Sequence, residues 1–246
     1  MIKNFKLLVE YDGTGYCGWQ RQKKDPTVQG TIENALFIIT KQQISLIGSG
    51  RTDAGVHALG QVANFQCDTK LSPEAFEKGL NSLLPDDIVI RSCELADMEF
   101  HARFNVKSKA YRYHILNHRR PIAVGRQYVW NIRRPLDFAA MRDAHGHFVG
   151  VHDFKAFEGS GSPRVHTVRH VTTTNISMEH DGRITFDIEA NGFLRFMVRN
   201  IVGTLVYVGS GKLVPADIPD ILKSRDRSRA AATAPAQGLF LVAVTY

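Results

Sequence analysis

An apolar run, Ile44 to Ile47, leads into Gly48-Ser49-Gly50-Arg51-Thr52-Asp53-Ala54-Gly55-Val56-His57, and an alternating run, Gln61 to Cys67, leads out of it. Both flanking runs have the pattern of strands. Two residues suffice to join antiparallel strands, so a connection this long constrains the chain more than any other stretch does. Gly48, Gly50, Gly55 and Gly60 let the backbone turn sharply and come close to whatever it faces. Arg51 and Asp53 are the charged residues between the runs. One reading is a solvated turn with a weak Arg51–Asp53 surface pair. The other is a functional loop, because long loops between strands often carry function.

The rest of the chain supplies more strands and a few capped helices. Phe5, Leu7 and Val9 alternate with Lys6 and Glu10, a half-buried strand that ends at Tyr11-Asp12-Gly13. Thr27 caps a helix with Val28, Ile32, Ala35, Leu36 and Ile39 on one face. Ser72-Pro73 opens a second helix that turns Phe76, Leu80 and Leu83 inward, and Ile88 to Ile90 starts another strand. From Lys109 to Leu116, Tyr111, Tyr113 and Ile115 share one face, with Arg112 and His114 on the other.

Asp137 caps a helix through Phe138 and Met141, and Val168 to Ser177 with Ile184 to Ala190 form a hairpin turning at Asp181-Gly182. Phe193 to Val208 reads as a helix closed by Gly209-Ser210-Gly211, followed by a shorter one near Pro215 to Lys223 and a last strand, Leu239 to Val244. Gly159-Ser160-Gly161-Ser162-Pro163-Arg164 reads as a mobile basic loop. Hairpin connections with few β-α-β crossovers point to an α+β fold with mainly antiparallel sheets. The expected division is an N-terminal half, 1–108, carrying the Asp53 loop, and a C-terminal half, 109–246, carrying the Tyr111 strand and the Arg199 helix.

With 246 residues, 43% hydrophobic and 22% charged, the chain has the composition of an ordinary globular protein that needs no disulfide or metal staple. Cys17, Cys67 and Cys93 are far apart and include no C-x-x-C, so neither a disulfide framework nor a zinc site is read from them. His145, His147 and His152 have only Asp153 near them in regular ligand spacing, and no metal is read there. The start, Met1-Ile2-Lys3-Asn4-Phe5, lacks a secretory h-region, and no stretch reaches the roughly 20 apolar residues of a membrane span. A cytoplasmic chain without a membrane partner is expected. Its net charge of +7 suits a polyanion.

A carboxylate such as Asp53 is ionised at neutral pH and can attack carbon to form a covalent intermediate. Glycosidases pair two carboxylates for hydrolysis, and no second acid lies near Asp53 in sequence. A lone aspartate beside an arginine suits a bond cleavage that does not hand the sugar to water.

Gly50-Arg51-Thr52-Asp53-Ala54-Gly55-Val56-His57 resembles the signature of the tRNA pseudouridine synthases of the A type. Glu10-Tyr11-Asp12-Gly13 with Gly18-Trp19-Gln20-Arg21-Gln22 resembles the family's first block. Phe100-His101-Ala102-Arg103-Phe104 with Tyr111-Arg112-Tyr113 resembles its central block. Met197-Val198-Arg199-Asn200-Ile201-Val202-Gly203 and Gly238-Leu239-Phe240-Leu241-Val242 resemble its last two. The blocks keep family order from residue 10 to the C-terminus.

The resemblance implies two related halves, their sheets side by side, helices on one face and an active-site cleft between them. It implies cleavage of the N1–C1′ bond of a flipped-out uridine, rotation of the base and rejoining through C5, with no cofactor or metal. The substrate it implies is tRNA, at three successive uridines on the 3′ side of the anticodon stem-loop, tRNA positions 38, 39 and 40. It implies a homodimer. It makes Asp53 catalytic, attacking either C1′ or C6, and Tyr111 a ring that stacks on uracil. Arg199 becomes the cation that orients the carboxylate, and Arg51 a contact to the RNA or to the flipped nucleotide. Arg21, Lys23, Lys24, Arg164, Arg169 and Arg227 are candidate phosphate contacts. Arg195-Phe196 departs from the family pattern, so no role is carried over to Arg195.

Overall fold

The computed structural model describes residues 2–159, 161 and 165–246. Two compact units account for it: Met1–Lys107 with Phe240–Tyr246, and Ser108–Leu239. The glycine-serine stretch expected to form a mobile basic loop, with Arg164 in it, lies outside the described residues except for Gly159 and Gly161.

The first unit runs β1 (Ile2–Tyr11), α1 (Val28–Thr40), β2 (Ile47–Gly48), β3 (His57–Asp68), α2 (Pro73–Leu83) and β4 (Ile88–Ala96). β1 is central, antiparallel to β3 on one side and to β4 on the other. The last strand of the chain, Leu239–Thr245, lies parallel to β3, with Phe240 opposite His57. The helix starts follow the expected caps: Thr27 accepts from the Gly30 N–H and Ser72 from that of Ala75. Phe5, Phe65 and Phe76 meet with centroids 4.7 to 5.3 Å apart and pin α2 to β1 and β3. Each such buried ring contributes about 2 kcal/mol or more. Phe76 and Leu80 face inward as expected, but Leu83 is exposed and Leu84 is buried instead. The helix ends at Leu83, and the extended Leu84 turns the next side chain under it.

The second unit contains β5 (Ser108–Asn117), β6 (Trp130–Ile132), α3 (Phe138–His145), β7 (Gly150–Asp153), β8 (Val168–Met178), β9 (Arg183–Ala190), α4 (Met197–Gly209) and α5 (Asp217–Ser224). Its antiparallel sheet runs β5-β9-β8-β7, with β6 parallel to β5. The strand Leu239–Thr245 is thus β10. β5 alternates as its sequence dictates: Tyr111, Tyr113 and Ile115 are buried, while Arg112 and His114 sit on the other, half-exposed face. Tyr113 is core, its hydroxyl donating to the Pro235 carbonyl at 2.7 Å. Gly182 makes the β8–β9 turn in the left-handed region at φ 81°. Both units are α+β and mainly antiparallel, the fold class the sequence indicates.

α4 begins at Met197, four residues later than the apolar pattern indicates. Phe196, the residue before it, has φ 60°, which no right-handed helix accommodates. Gly159 donates its N–H to the Arg195 carbonyl at 2.8 Å, and a side chain at Gly159 would meet the Phe196 ring at 2.4 Å. The chain therefore enters α4 through a tight turn, and Arg195 stands outside the helix.

Candidate active site

β2 is only two residues long, so the expected strand over Ile44 to Ile47 is mostly coil. Residues 49–56 then form the loop that carries Arg51 and Asp53 into β3. Within the loop the Val56 N–H donates to the Asp53 carbonyl at 3.1 Å. Further bonds come from elsewhere in the unit. The Ser49 N–H donates to the Val62 carbonyl at 2.7 Å, and Ser49 Oγ donates to Gln61 Oε1 at 2.6 Å. Gln61 Nε2 donates to the Gly50 carbonyl at 3.0 Å. Thr52 is clasped twice: its carbonyl accepts from the Trp19 N–H at 3.1 Å, and its hydroxyl bonds the Tyr11 hydroxyl at 2.8 Å. Burial raises the Tyr11 phenol above the usual tyrosine range, so it stays protonated and available for that bond. The Gly55 N–H donates to the Tyr16 carbonyl at 3.3 Å.

These bonds require backbone to lie directly on backbone. A Cβ at Gly13 would fall 2.0 Å from the Val56 carbonyl oxygen. A Cβ at Gly18, whose φ is +90°, would fall 2.5 Å from that of Thr52. The glycines of the segment before α1 are therefore what allow the loop to be gripped. Asp53 emerges half-buried between the buried Thr52 and the exposed Ala54. Arg51 is exposed, and its Nε donates to Gln20 Oε1 at 2.9 Å.

In the second unit the candidates stand on regular elements. Tyr111, on β5, is 8% exposed and meets Phe193 edge-on at 5.0 Å. Arg199 is in the first turn of α4, half-buried, with Nε donating to the Ala234 carbonyl at 2.7 Å. The Ala234 N–H returns a bond to the Arg199 carbonyl at 3.1 Å. The guanidinium groups of Arg195 and Arg199 lie 4.6 and 4.9 Å from the Phe196 ring centroid, so an aromatic face, rather than a shared helix face, collects the two cations. Gly203 lets the 230–234 segment lie on α4, since a Cβ there would sit 2.0 Å from the Ala232 carbonyl oxygen. The buried Asn200 ties the same segment down, accepting from Thr233 Oγ1 at 2.6 Å.

Among the basic residues offered for phosphate, Arg227 has a structural post. Its Nη1 donates to the carbonyls of Ala230 and Ala231, and its Nη2 to Asn200 and Thr233, all within 3.2 Å. Arg21 pairs with the buried Glu33 at 2.8 Å. His145 bonds Thr174 at 2.9 Å and His152 bonds the Val149 carbonyl at 2.9 Å. Among the described residues no group of three or more His, Cys, Asp or Glu is placed to hold a metal ion, and no helix is long and apolar enough to cross a membrane.

Sequence reasoning found the loop but assigned no part to Tyr11, Gln20, Gln29, Glu33 or Gln61, which support it. The signal was present: Gln29 and Glu33 lie four apart on α1 and are buried beside its apolar stripe, and Gln61 is a fully buried amide in a strand.

The family model described as tRNA pseudouridine synthase matches residues 7–105 and 144–246. The chain belongs to that family, and is an isomerase that acts on uridine in tRNA. A protein of Acetivibrio thermocellus described as tRNA pseudouridine synthase A is 50% identical over 246 residues, all of both chains. Proteins of the same description from Thermoanaerobacter sp. (strain X514) and Clostridium acetobutylicum are 47% and 43% identical over 245 residues, again covering both chains entirely. A solved chain from a Cbf5-Nop10-Gar1 complex is only faintly similar, with TM-score 0.34 and 14% identity over 82% of this chain and 45% of that one, too faintly to bear on the fold.

Proposed function

We propose that this isomerase acts on the three successive uridines on the 3′ side of the tRNA anticodon stem-loop, with Asp53 as its catalytic group. The observation that carries the assignment is the loop itself. Asp53 is held by neighbours that are bonded on both sides to β1, β3 and the glycine-rich segment before α1, the fixed presentation that a nucleophile needs.

Extruding a uridine from its stack costs a few kcal/mol, least in a loop or at the end of a stem. Asp53 attacks the extruded nucleotide at C1′ or C6. The N1–C1′ bond breaks, the uracil rotates, and a C5–C1′ bond forms. Asp53 is released from the carbon it attacked, the proton of C5 leaves to solvent and N1 takes one up from solvent, so substrate and product are isomers. Tyr111 provides the ring on which uracil stacks, and its hydroxyl is the group to relay the C5 proton. Arg199 is the cation that keeps the carboxylate ionised and oriented, and Arg51 meets the RNA. The working form in this proposal is a cytoplasmic homodimer.

The test uses unmodified tRNA transcripts carrying tritium at C5 of uridine, with no added cofactor. The wild-type protein should release tritium, Asp53→Asn should release none, and both should bind the RNA. Replacing the three uridines singly by cytidine should each remove part of the release. Unchanged release from a transcript lacking all three would move the site elsewhere in tRNA, and full activity of Asp53→Asn would remove the aspartate from the mechanism.

A further inference from the structure

A chain of side-chain hydrogen bonds runs from inside the first unit out to Arg51. At the buried end, Glu33 Oε1 accepts from the Leu46 N–H at 2.9 Å and from Gln29 Nε2 at 2.9 Å, while Oε2 accepts from Arg21 Nη1 at 2.8 Å. Gln29 Nε2 also donates to the Leu46 carbonyl at 3.0 Å. Gln29 Oε1 accepts from the Arg21 N–H at 2.9 Å and from Gln20 Nε2 at 2.8 Å. The chain ends where Gln20 Oε1 accepts from Arg51 Nε at 2.9 Å.

The direction of these bonds is fixed from the inside. A carboxylate can only accept, so Gln29 must turn its amide nitrogen to Glu33 and its oxygen away. That oxygen can only accept, so Gln20 must turn its nitrogen inward and its oxygen out to Arg51. Reversing either amide would set oxygen against oxygen. Gln29 and Glu33 are 6% and 5% exposed, so water cannot readily rescue a broken bond.

We propose that Glu33, Gln29 and Gln20 form a positioning relay that orients Arg51 toward tRNA. The proposal deepens the reading of Arg51 as an RNA contact and rests on it. An exposed arginine samples many rotamers, and a planar guanidinium recognises phosphate or a base edge only in particular orientations. With Nε held by Gln20, the group presents its Nη1 and Nη2 end. Gln20 therefore acts through Arg51 and touches no RNA itself. Pre-orientation of this kind favours the reacting geometry over simple binding.

The experiment is a double-mutant cycle with Gln20→Leu and Arg51→Ala, read by single-turnover tritium release from C5-labelled tRNA, with the Kd for tRNA and the melting temperature measured alongside. Gln20 is exposed, so its variant is expected to melt as the wild type does. Gln20→Leu should slow release by about tenfold, as expected for losing a bond to a charged group, while the Kd changes by less than about twofold. Arg51→Ala should slow it more, and the double variant should be no slower than Arg51→Ala alone. Effects that multiply in the double variant, or a wild-type rate for Gln20→Leu beside a slow Arg51→Ala, would overturn the relay and leave the role of Arg51 standing. A wild-type rate for Arg51→Ala would instead remove the underlying reading of that arginine.

Discussion

The loop that carries Asp53 and the helix that carries Arg199 both depend on a second segment lying against them, but the supports differ in kind. Thr52 and Gly55 bond backbone to backbone with the segment before α1, and Gly13 and Gly18 allow that approach. Arg199 stands on a helix already closed by its own bonds, and the 230–234 segment adds to it. The loop has no regular structure to fall back on, so its geometry is only as good as its contacts. The helix would keep its shape if its partner moved. The difference predicts that damage to the first support appears in the rate, and damage to the second in stability.

Gly13→Ala tests the loop most sharply. Its new methyl would fall 2.0 Å from the Val56 carbonyl oxygen, an atom on rigid backbone, and must push the loop beside Asp53. A displacement of about 1 Å is expected to cost about a hundredfold in tritium release. Binding of tRNA should fall far less. A loss confined to binding would contradict the fixed-loop reading.

Gly203→Ala is the matching change in the second unit, with Ala232 as the obstructed partner. Overpacking there should lower stability by about 1–3 kcal/mol in urea denaturation. The rate per folded molecule should change much less than in Gly13→Ala. Equal rate losses in both variants would erase the distinction between the units.

Away from both supports, Lys41 ends α1 with φ 58° and is exposed. Glycine accepts that conformation without strain, so Lys41→Gly should stabilise the protein by about 1 kcal/mol and leave the rate alone.

The smallest effect concerns pH. Burial lowers the pKa of His114, helped by the nearby Arg112, and burial also lowers that of His145. The folded state thus prefers these imidazoles neutral. Above the unfolded value, about 6.5, both states are neutral and no stability is lost. As pH falls below it, the unfolded chain binds protons first and the fold weakens. Melting temperature should therefore decline from pH 7 to pH 5. The decline should be shallower in a His114→Asn, His145→Asn variant; an identical slope would assign it to other groups.

Local signals were legible where one residue decides the outcome. Thr27, Ser72 and Asp137 cap their helices, and Gly182 turns its hairpin, because each works through neighbours within three residues. Phe196 was not legible, since a phenylalanine at φ 60° is disfavoured and is held there by tertiary contacts with the 159 region. The short strands β6 and β7 escaped because each borrows its pairing from a longer neighbour. The Asp53 loop was legible as a motif, but its supports were not. Gln20, Gln29 and Glu33 read as ordinary polar residues until the fold brings them into line.

The parallel seat of β10 beside β3 has a consequence for synthesis. Phe240 stacks on His57 with centroids 4.7 Å apart, the Lys107 N–H donates to the Thr245 carbonyl at 2.8 Å, and the Tyr246 hydroxyl donates to the Ala102 carbonyl at 2.7 Å. The first unit is therefore translated nearly whole, but cannot finish its sheet until all of the second has been made. At typical elongation rates that wait is on the order of ten seconds, during which one edge of β3 lacks its last partner. The strand that closes the unit carrying Asp53 is made only after the second unit, so a chain stopped just short of it would carry the Asp53 loop on an unfinished sheet.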